Sequence, residues 1–279
     1  MDISLLCETA KVSKSGYYQW LKTADKPERD YDDYLLIKEI FDKGRGKFGH
    51  RTIIMRLLRE KDVQMSRKKV LRIMKKYGLR TRIRRKNPYK MIMKKTQEHR
   101  TCENILNREF EQLVPFKILC TDITYLWFSN RFAYLSVIKD IASGEIVAWS
   151  LACHMYNDLV LESIANLQLF AAANLLSLKD VLLHSDQGFH YTSPGYIEMI
   201  KRIDIKQSMS RKGNCIDNSP IESFFGHLKD EVEYKASKTF DELRQMIDEY
   251  IEYYNTDRPQ WELKKMTPVE YRNHLLMVA

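Results

Sequence analysis

Apolar residues change their spacing near the middle of this chain, and the change separates two kinds of predicted structure. Up to about residue 80 they recur at helical intervals. Residues 4–22 suggest two short helices broken near Val12, the second capped by Ser13, and the polar KTADKPERDY (22–31) with Pro27 suits a linker. Leu36, Ile37, Ile40 and Phe41 mark a further helix, ended by the glycines of KGRGKFGHR (43–51). Ile53, Ile54, Leu57 and Leu58 mark the next, and another is predicted to start behind a Ser66 cap and stop at Gly78. Its apolar side is Val70, Ile73, Met74 and Tyr77, while Arg67, Lys68, Lys69, Arg72, Lys75 and Lys76 cover the rest. Helix, turn and basic helix is the arrangement that offers a recognition helix to a DNA groove.

From Lys117 the pattern is that of strands. KILCTDITYLWF (117–128), FAYLSVIKD (132–140) and IVAWSLA (146–152) are β-branched and aromatic, with SNR and ASGE between them as turns, so three antiparallel strands are predicted. An apolar helix follows over 157–176, capped near Asn157, then a short buried parallel strand in DVLLHSD (180–186). A helix over 194–201 and a strand over 203–209 come next, and Pro220 opens a helix with Ile221, Phe224, Phe225, Leu228 and Val232 as its buried stripe. A last strong helix runs over about 240–254, and NTDRPQWELKKMTPVEYRN reads as an irregular tail. Strands first, then strands alternating with helices, predict an α/β mixed sheet with flanking helices behind a small basic helical domain.

Charge sharpens that division. Residues 1–100 carry 28 Lys and Arg against 12 Asp and Glu, whereas residues 101–279 carry 18 against 25. A polyanion-binding module beside a mildly acidic core is implied. Half of RTRIRRKNPYKMIMKK (80–95) is Lys or Arg, so it reads as an arm that tracks phosphates, Arg82, Arg84 and Arg85 among its contacts. Four segments are expected: 1–30 as a short helical lead, 31–80 as a helix-turn-helix-like DNA-binding domain, 81–112 as a linker arm, and 113–279 as a catalytic domain with a helical tail. Five scattered cysteines without a CxxC pair support neither a disulfide framework nor a zinc site. With no apolar run approaching a membrane span and no signal peptide, a cytoplasmic location and no membrane partner are expected.

Three carboxylates carry the candidate chemistry. Asp122 falls inside an otherwise apolar strand, where an acid is costly unless it is paired or binds a cation. Asp186 stands just past the carboxyl end of its strand, where open α/β sheets bind ligands, and adjacent strands would bring the two together. Glu222 borders the buried stripe of the helix opened by Pro220 and could close the site from one side. Lys229, seven residues on, lies along the same side of that helix. Oxygen ligands without His or Cys suit Mg2+, or Mn2+ in its place, and two such ions would serve an in-line displacement at phosphorus. Asp140, Asp180 and Asp217 read as cap or turn residues, His184 and His190 as structural histidines, and the loop around Gly213, Asn214 and Asn218 as a turn with a helix cap.

TDITYL around Asp122, HSDQGFHYTS around Asp186 and SMSRKGNCIDNSPIESFFGHLKDE around Glu222 resemble the three acidic motifs of the retroviral-integrase-like (DDE) transposases of bacterial insertion sequences. Thirty-five residues separate the second and third acids, as in that family. The likeness extends to VSKSGYYQW (12–20), KFGHRTI (47–53), YNTDRP and TPVEY, and so spans nearly the whole chain. It is nearest to a second-reading-frame product, which the family makes by frameshifting as the C-terminal part of a longer transposase; the upstream helix-turn-helix and leucine-zipper segment would then be missing.

The resemblance implies a ribonuclease-H-like core in which Asp122, Asp186 and Glu222 bind two Mg2+ ions and Lys229 meets DNA near the cleaved end. It implies 3′-end nicking of the element, then attack of the freed 3′-hydroxyl on another phosphodiester. Its DNA partners would be the terminal repeats and the target, bound by a homo-oligomer, with the first-reading-frame product as a further partner. Arg211 and Lys212 beside the third motif join Arg67, Lys68 and Arg72 as expected DNA contacts. Leu119, Phe48, His50 and Gln260-Trp261 depart from the family pattern without removing an acid. A nuclease or resolvase of the same fold that hydrolyses without strand transfer, and a catalytically inactive DNA-binding regulator, are the alternative functions.

Overall fold

A computed structural model describes residues 3–24, 30–82, 102–211 and 218–278. The chain divides into two compact units, Met1–Thr81 and Arg82–Ala279. The first unit is helical: α1 (Ile3–Thr9), α2 (Lys14–Ala24), α3 (Tyr31–Lys43), α4 (His50–Lys61) and α5 (Arg67–Lys76). Ile37, Ile40, Ile53, Leu57, Val70 and Ile73, all fully buried, form the shared core of α3, α4 and α5, and Tyr34 stacks on Tyr77 at 4.0 Å. Ser66 caps α5 by accepting from the Lys69 amide at 3.3 Å, and Ser13 caps α2 by accepting from the Gly16 amide at 3.1 Å. Gly78 takes φ +71 after α5, a left-handed turn that glycine reaches without strain.

The second unit is built on a five-stranded sheet. β1 (Ile118–Phe128), β2 (Arg131–Asp140) and β3 (Ile146–Ala152) form the antiparallel meander, and β4 (Leu182–Ser185) and β5 (Lys206–Met209) extend it in parallel on the other side of β1. The order β3-β2-β1-β4-β5 is that of a ribonuclease-H-like mixed sheet. Helices α6 (Asn157–Ala173), α7 (Phe189–Thr192) and α8 (Pro194–Arg202) share one core with Leu119, Ile138, Leu183 and Met209. On the opposite face Cys120, Leu126, Phe128, Leu135 and Val137 pack with α9 (Ser219–Glu231) and α10 (Phe240–Thr256). Successive residues of a strand point to opposite faces, which is why odd and even positions of β1 enter different cores.

Several local expectations are corrected. Asn157 does not cap α6: it is the first helical residue, Tyr156 holds the cap position without a side-chain bond, and the Asn157 carboxamide lies 3.3 Å from His190 Nδ1. Both parallel strands are shorter than their apolar runs. The tail is not irregular throughout, because α11 (Pro268–Val278) forms in it. Thr267 and Glu270 exchange side-chain and backbone hydrogen bonds at 3.0 and 3.3 Å around the start of α11, and Pro268 stands where a missing N–H costs nothing. Asp217 lies outside the described residues.

Candidate active site

β1 and β4 run parallel with Ile118 opposite Leu182, Leu119 opposite Leu183 and Cys120 opposite His184. Two residues beyond Cys120 is Asp122, and two beyond His184 is Asp186. Both acids thus follow the last paired residues of the two strands by two positions, and both act electrostatically on the Tyr191 phenol. Both are partly exposed, in contrast to the neighbours that anchor them. The Asp122 carboxylate accepts from the Ile123 amide at 2.8 Å. Asp186 accepts from the Gly188 amide at 2.8 Å, a tight turn that aims the carboxylate as the chain leaves β4.

Tyr191 is the site residue that the sequence reading missed. Its phenol is 2% exposed and lies 3.4 Å from the Thr121 hydroxyl. Burial raises its pKa well above the ordinary value, and the negative charges of Asp122 and Asp186 push in the same direction. One neutral phenol thus lies within electrostatic reach of both acids. Its signal was the apolar-aromatic FHYT after Asp186, which is legible as core but not as a neighbour of Asp122.

α9 is placed over the same face of β1. The Asn218 carboxamide donates to the Thr121 carbonyl at 3.4 Å, and the buried Lys139 ammonium donates to the Pro220 carbonyl at 3.0 Å. Asn218 occupies the cap position of α9, yet its side chain is spent on β1 and not on the helix. Glu222 is exposed in the first turn of α9, where a carboxylate suits the positive end of the helix. Lys229 is one helical face with Glu222, about 10 Å along the axis. Its ammonium bonds the Thr124 hydroxyl and lies 4.8 Å over the Tyr125 ring.

Asp122 and Asp186 both lie within electrostatic reach of the Tyr191 phenol, and Glu222 stands on the helix whose cap residue bonds β1. Among the described residues no three His, Cys, Asp or Glu side chains form a group that could hold a metal ion, so Glu222 is not gathered with the two aspartates into one ligand set. The donor chemistry does suit a hard divalent cation: all three groups are carboxylates, and the nearby nitrogen and sulfur groups are otherwise engaged. Buried His184 contacts the Ser208 hydroxyl through Nδ1 at 2.9 Å, and burial pushes the Cys120 thiol up to about 12. His190 is turned toward Asn157, and burial lowers its pKa despite the nearby charge of Asp186.

Two integrase core domain families match the chain, one over residues 112–215 and the other over 222–276, and an HTH-like domain family matches residues 28–87. Over 273 residues the chain is 36% identical to the putative transposase InsK for insertion sequence element IS150 of Escherichia coli K12, covering 98% of this chain and 94% of that protein. The chain belongs to the insertion-sequence transposases. A member of that family is an enzyme that acts on DNA. A transposase-like protein of Haemophilus influenzae is 40% identical over 77% of this transposase and 96% of its own length. Among solved structures, a chain of the simian T-cell lymphotropic virus intasome in complex with PP2A regulatory subunit B56 gamma is similar, at 17% identity and TM-score 0.48, over 75% of this chain and 67% of that one.

The residues expected to meet DNA divide into several groups in this transposase. Arg67 and Lys68 are exposed on the first turn of α5. Arg72, on the same helix, has its guanidinium on Asp30, with nitrogen to oxygen distances of 2.5 and 2.8 Å. That pairing holds the Asp30 carboxyl below its usual pKa while the Arg72 side chain stays 58% exposed. Arg211 is bonded to the Asn107 side chain, and Arg82 is exposed at the start of the second unit. Arg84, Arg85 and Lys212 lie outside the described residues. Among the described residues no helix is long and apolar enough to cross a membrane.

Proposed function

We propose that this transposase nicks the 3′ ends of its insertion sequence and joins them to a second phosphodiester, using Asp122, Asp186 and Glu222 as ligands for two divalent ions. The observation that supports the reading is the parallel register of β1 and β4, which ends two residues before Asp122 on one strand and two before Asp186 on the other, with Glu222 in the first turn of the helix bonded to β1. Mg2+, or Mn2+ in its place, would supply activation of the attacking water or 3′-hydroxyl and stabilisation of the leaving oxygen. The chain's own groups do the positioning. Asp186 is held in aim by the Gly188 amide, Asp122 by the rigid centre of the sheet, and Glu222 by the two contacts that tie the start of α9 to the sheet. Lys229 exchanges its Thr124 partner for a phosphate of the DNA end. Arg67, Lys68 and Arg72 of α5, the arm through Arg82, Arg84 and Arg85, and Arg211 with Lys212 bind the backbone of terminal repeat and target.

The domain assignment that goes with this reading is a helical DNA-binding module over 31–80 preceded by a short helical segment over 1–30, a linker arm over 81–112 and the catalytic domain over 113–279. The protein works in the cytoplasm on chromosomal DNA as a homo-oligomer, with the first-reading-frame product as a further partner. The test is Asp186→Asn, assayed on labelled element ends in Mg2+. Joining falls by more than the roughly 10–100-fold that loss of a ligand's supporting partner costs, while binding to the ends persists. Unchanged joining overturns the ligand assignment, and hydrolysis products without joined products in the wild type make the protein a nuclease.

A further inference from the structure

β4 pairs with β1 only as far as Cys120, so among the described residues no strand lies beside that edge of β1 farther on. The hairpin of β1 and β2 continues to its tip, with Tyr125 opposite Tyr134 and Trp127 opposite Phe132. Odd residues of β1 and even residues of β2 share a face. There Tyr125, Trp127 and Phe132 are 42%, 43% and 42% exposed, on the opposite side of the strand from Asp122. The three rings are ordered against one another: Phe132 meets Tyr125 edge to face at 5.7 Å and Trp127 at 4.6 Å. Aromatic rings this size bury large areas when they find a partner, and leaving three together in water is costly for a strand end that could carry Thr or Lys.

Lys229 joins this patch to the candidate active site. Its ammonium contacts the Thr124 hydroxyl, on the Asp122 face, and the Tyr125 ring, on the other. A group that touches neighbouring residues pointing opposite ways stands at the strand's edge. A cation beside a hydrophobic aromatic surface matches a nucleotide, whose phosphate needs the cation and whose base needs a flat ring to stack on. A base inside the duplex has both faces covered, whereas an unpaired nucleotide at its end offers a free face to the rings.

We propose that Tyr125, Trp127 and Phe132 form a stacking platform for an unpaired nucleotide at the DNA end, with its phosphate on Lys229. The platform pulls the end of the duplex open around the edge of β1, so that the phosphodiester behind the unpaired base lies on the Asp122 side. This rests on the reading above that Lys229 meets a phosphate of the DNA end, but not on metal binding by the acids.

The experiment is done on the full chain in EDTA, by fluorescence anisotropy with two labelled duplexes, one blunt and one ending in a short unpaired 3′ overhang. The wild type binds the overhang duplex more tightly, by roughly 5- to 150-fold for one stacked base. Trp127→Ala removes most of that preference, with blunt-duplex binding falling by a smaller factor, and Trp127→Phe keeps it. Phe132→Ala, on the other strand, lowers the same preference and is the second variant should Trp127→Ala unfold. Equal binding of the two duplexes by the wild type, or a preference unchanged in both alanine variants, overturns the platform alone. Failure to bind either duplex overturns the platform together with the DNA-end reading. A fall in the protein's mass by light scattering on Trp127→Ala, with the preference unaltered, assigns the face to a second copy of the chain and also overturns it.

Discussion

Asp140, Glu145 and Glu231 belong to the same sheet unit as Asp122, Asp186 and Glu222, but their surroundings differ in kind. Asp140 is wholly buried and accepts from the Ser143 amide and hydroxyl at 2.9 and 2.6 Å and from the Phe116 amide at 2.9 Å. Glu145, 3% exposed, takes both oxygens to Arg272 Nη1 at 2.7 and 2.8 Å. Glu231 receives Arg258 through Nε and a terminal nitrogen, the shortest contact being 2.7 Å, and the Tyr250 hydroxyl at 3.2 Å. These acids hold elements together: Glu231 ties the end of α9 to the chain after α10, and Glu145 ties the turn before β3 to α11. Buried carboxylates survive only when saturated in this way. Asp122, Asp186 and Glu222 instead keep part of their surface in water.

Removing a donor from the sealed set gives the largest expected effect. Arg258→Ala leaves Glu231 charged beneath Tyr250 and costs about 3–5 kcal/mol in denaturant unfolding. Arg258→Lys recovers only part, because an ammonium cannot copy the fork. If Arg258→Ala unfolds at the wild-type midpoint, the two sets of acids are not distinct. The open set should respond in chemistry before stability. A Cβ at Gly188 would lie 2.8 Å from Asp186 Oδ1, so Gly188→Ala displaces the carboxylate while the sheet stays intact. Joining is expected to fall roughly 10–100-fold, as for lost ligand support, with the unfolding midpoint nearly unchanged. A stability loss matching the activity loss would place Asp186 among the structural acids.

The smallest effect is in pH dependence. Burial raises the Asp140 carboxyl above its ordinary value of 3.8, and the hydrogen bonds from Ser143 and Phe116 only oppose it. The unfolded chain therefore gives up this proton first. Stability from Asp140 is full below 3.8 and is lost as pH rises through the folded value. Thermal unfolding of Asp140→Asn, followed across the acidic range, should show a shallower decline than the wild type on the rising-pH side. Parallel curves would mean that its hydrogen bonds outweigh burial.

Much of this architecture could be read from local pattern. The three strands of the meander announce themselves because β-branched and aromatic residues run between clear turns, and Asp122 stands out because it interrupts such a run. Asp186 could be placed at a strand end from the apolar DVLLHSD alone. α11 was legible in principle, since TPVE is a capping box with proline in the first turn, but the charged residues before it obscured the start. What local pattern cannot carry is a partner far along the chain. Glu145 and Arg272 are 127 residues apart, and Thr121 meets Tyr191 across 70. Arg72 shows the same limit: only the fold reveals Asp30, 42 residues earlier, as a partner of its guanidinium.

The pairing of β1 with β4 also sets a rule for how such proteins can vary. Asp122 and Asp186 each follow the last ladder pair by two residues, so their placement depends on parity within two short strands and not on the length of what lies between. Whole turns of helix could be gained or lost around α6 and α8 without moving either acid. A single residue inserted between Leu182 and Asp186 would turn the carboxylate to the other side of the sheet. Length changes in this lineage should therefore gather in the connections and stop abruptly at those two ladders.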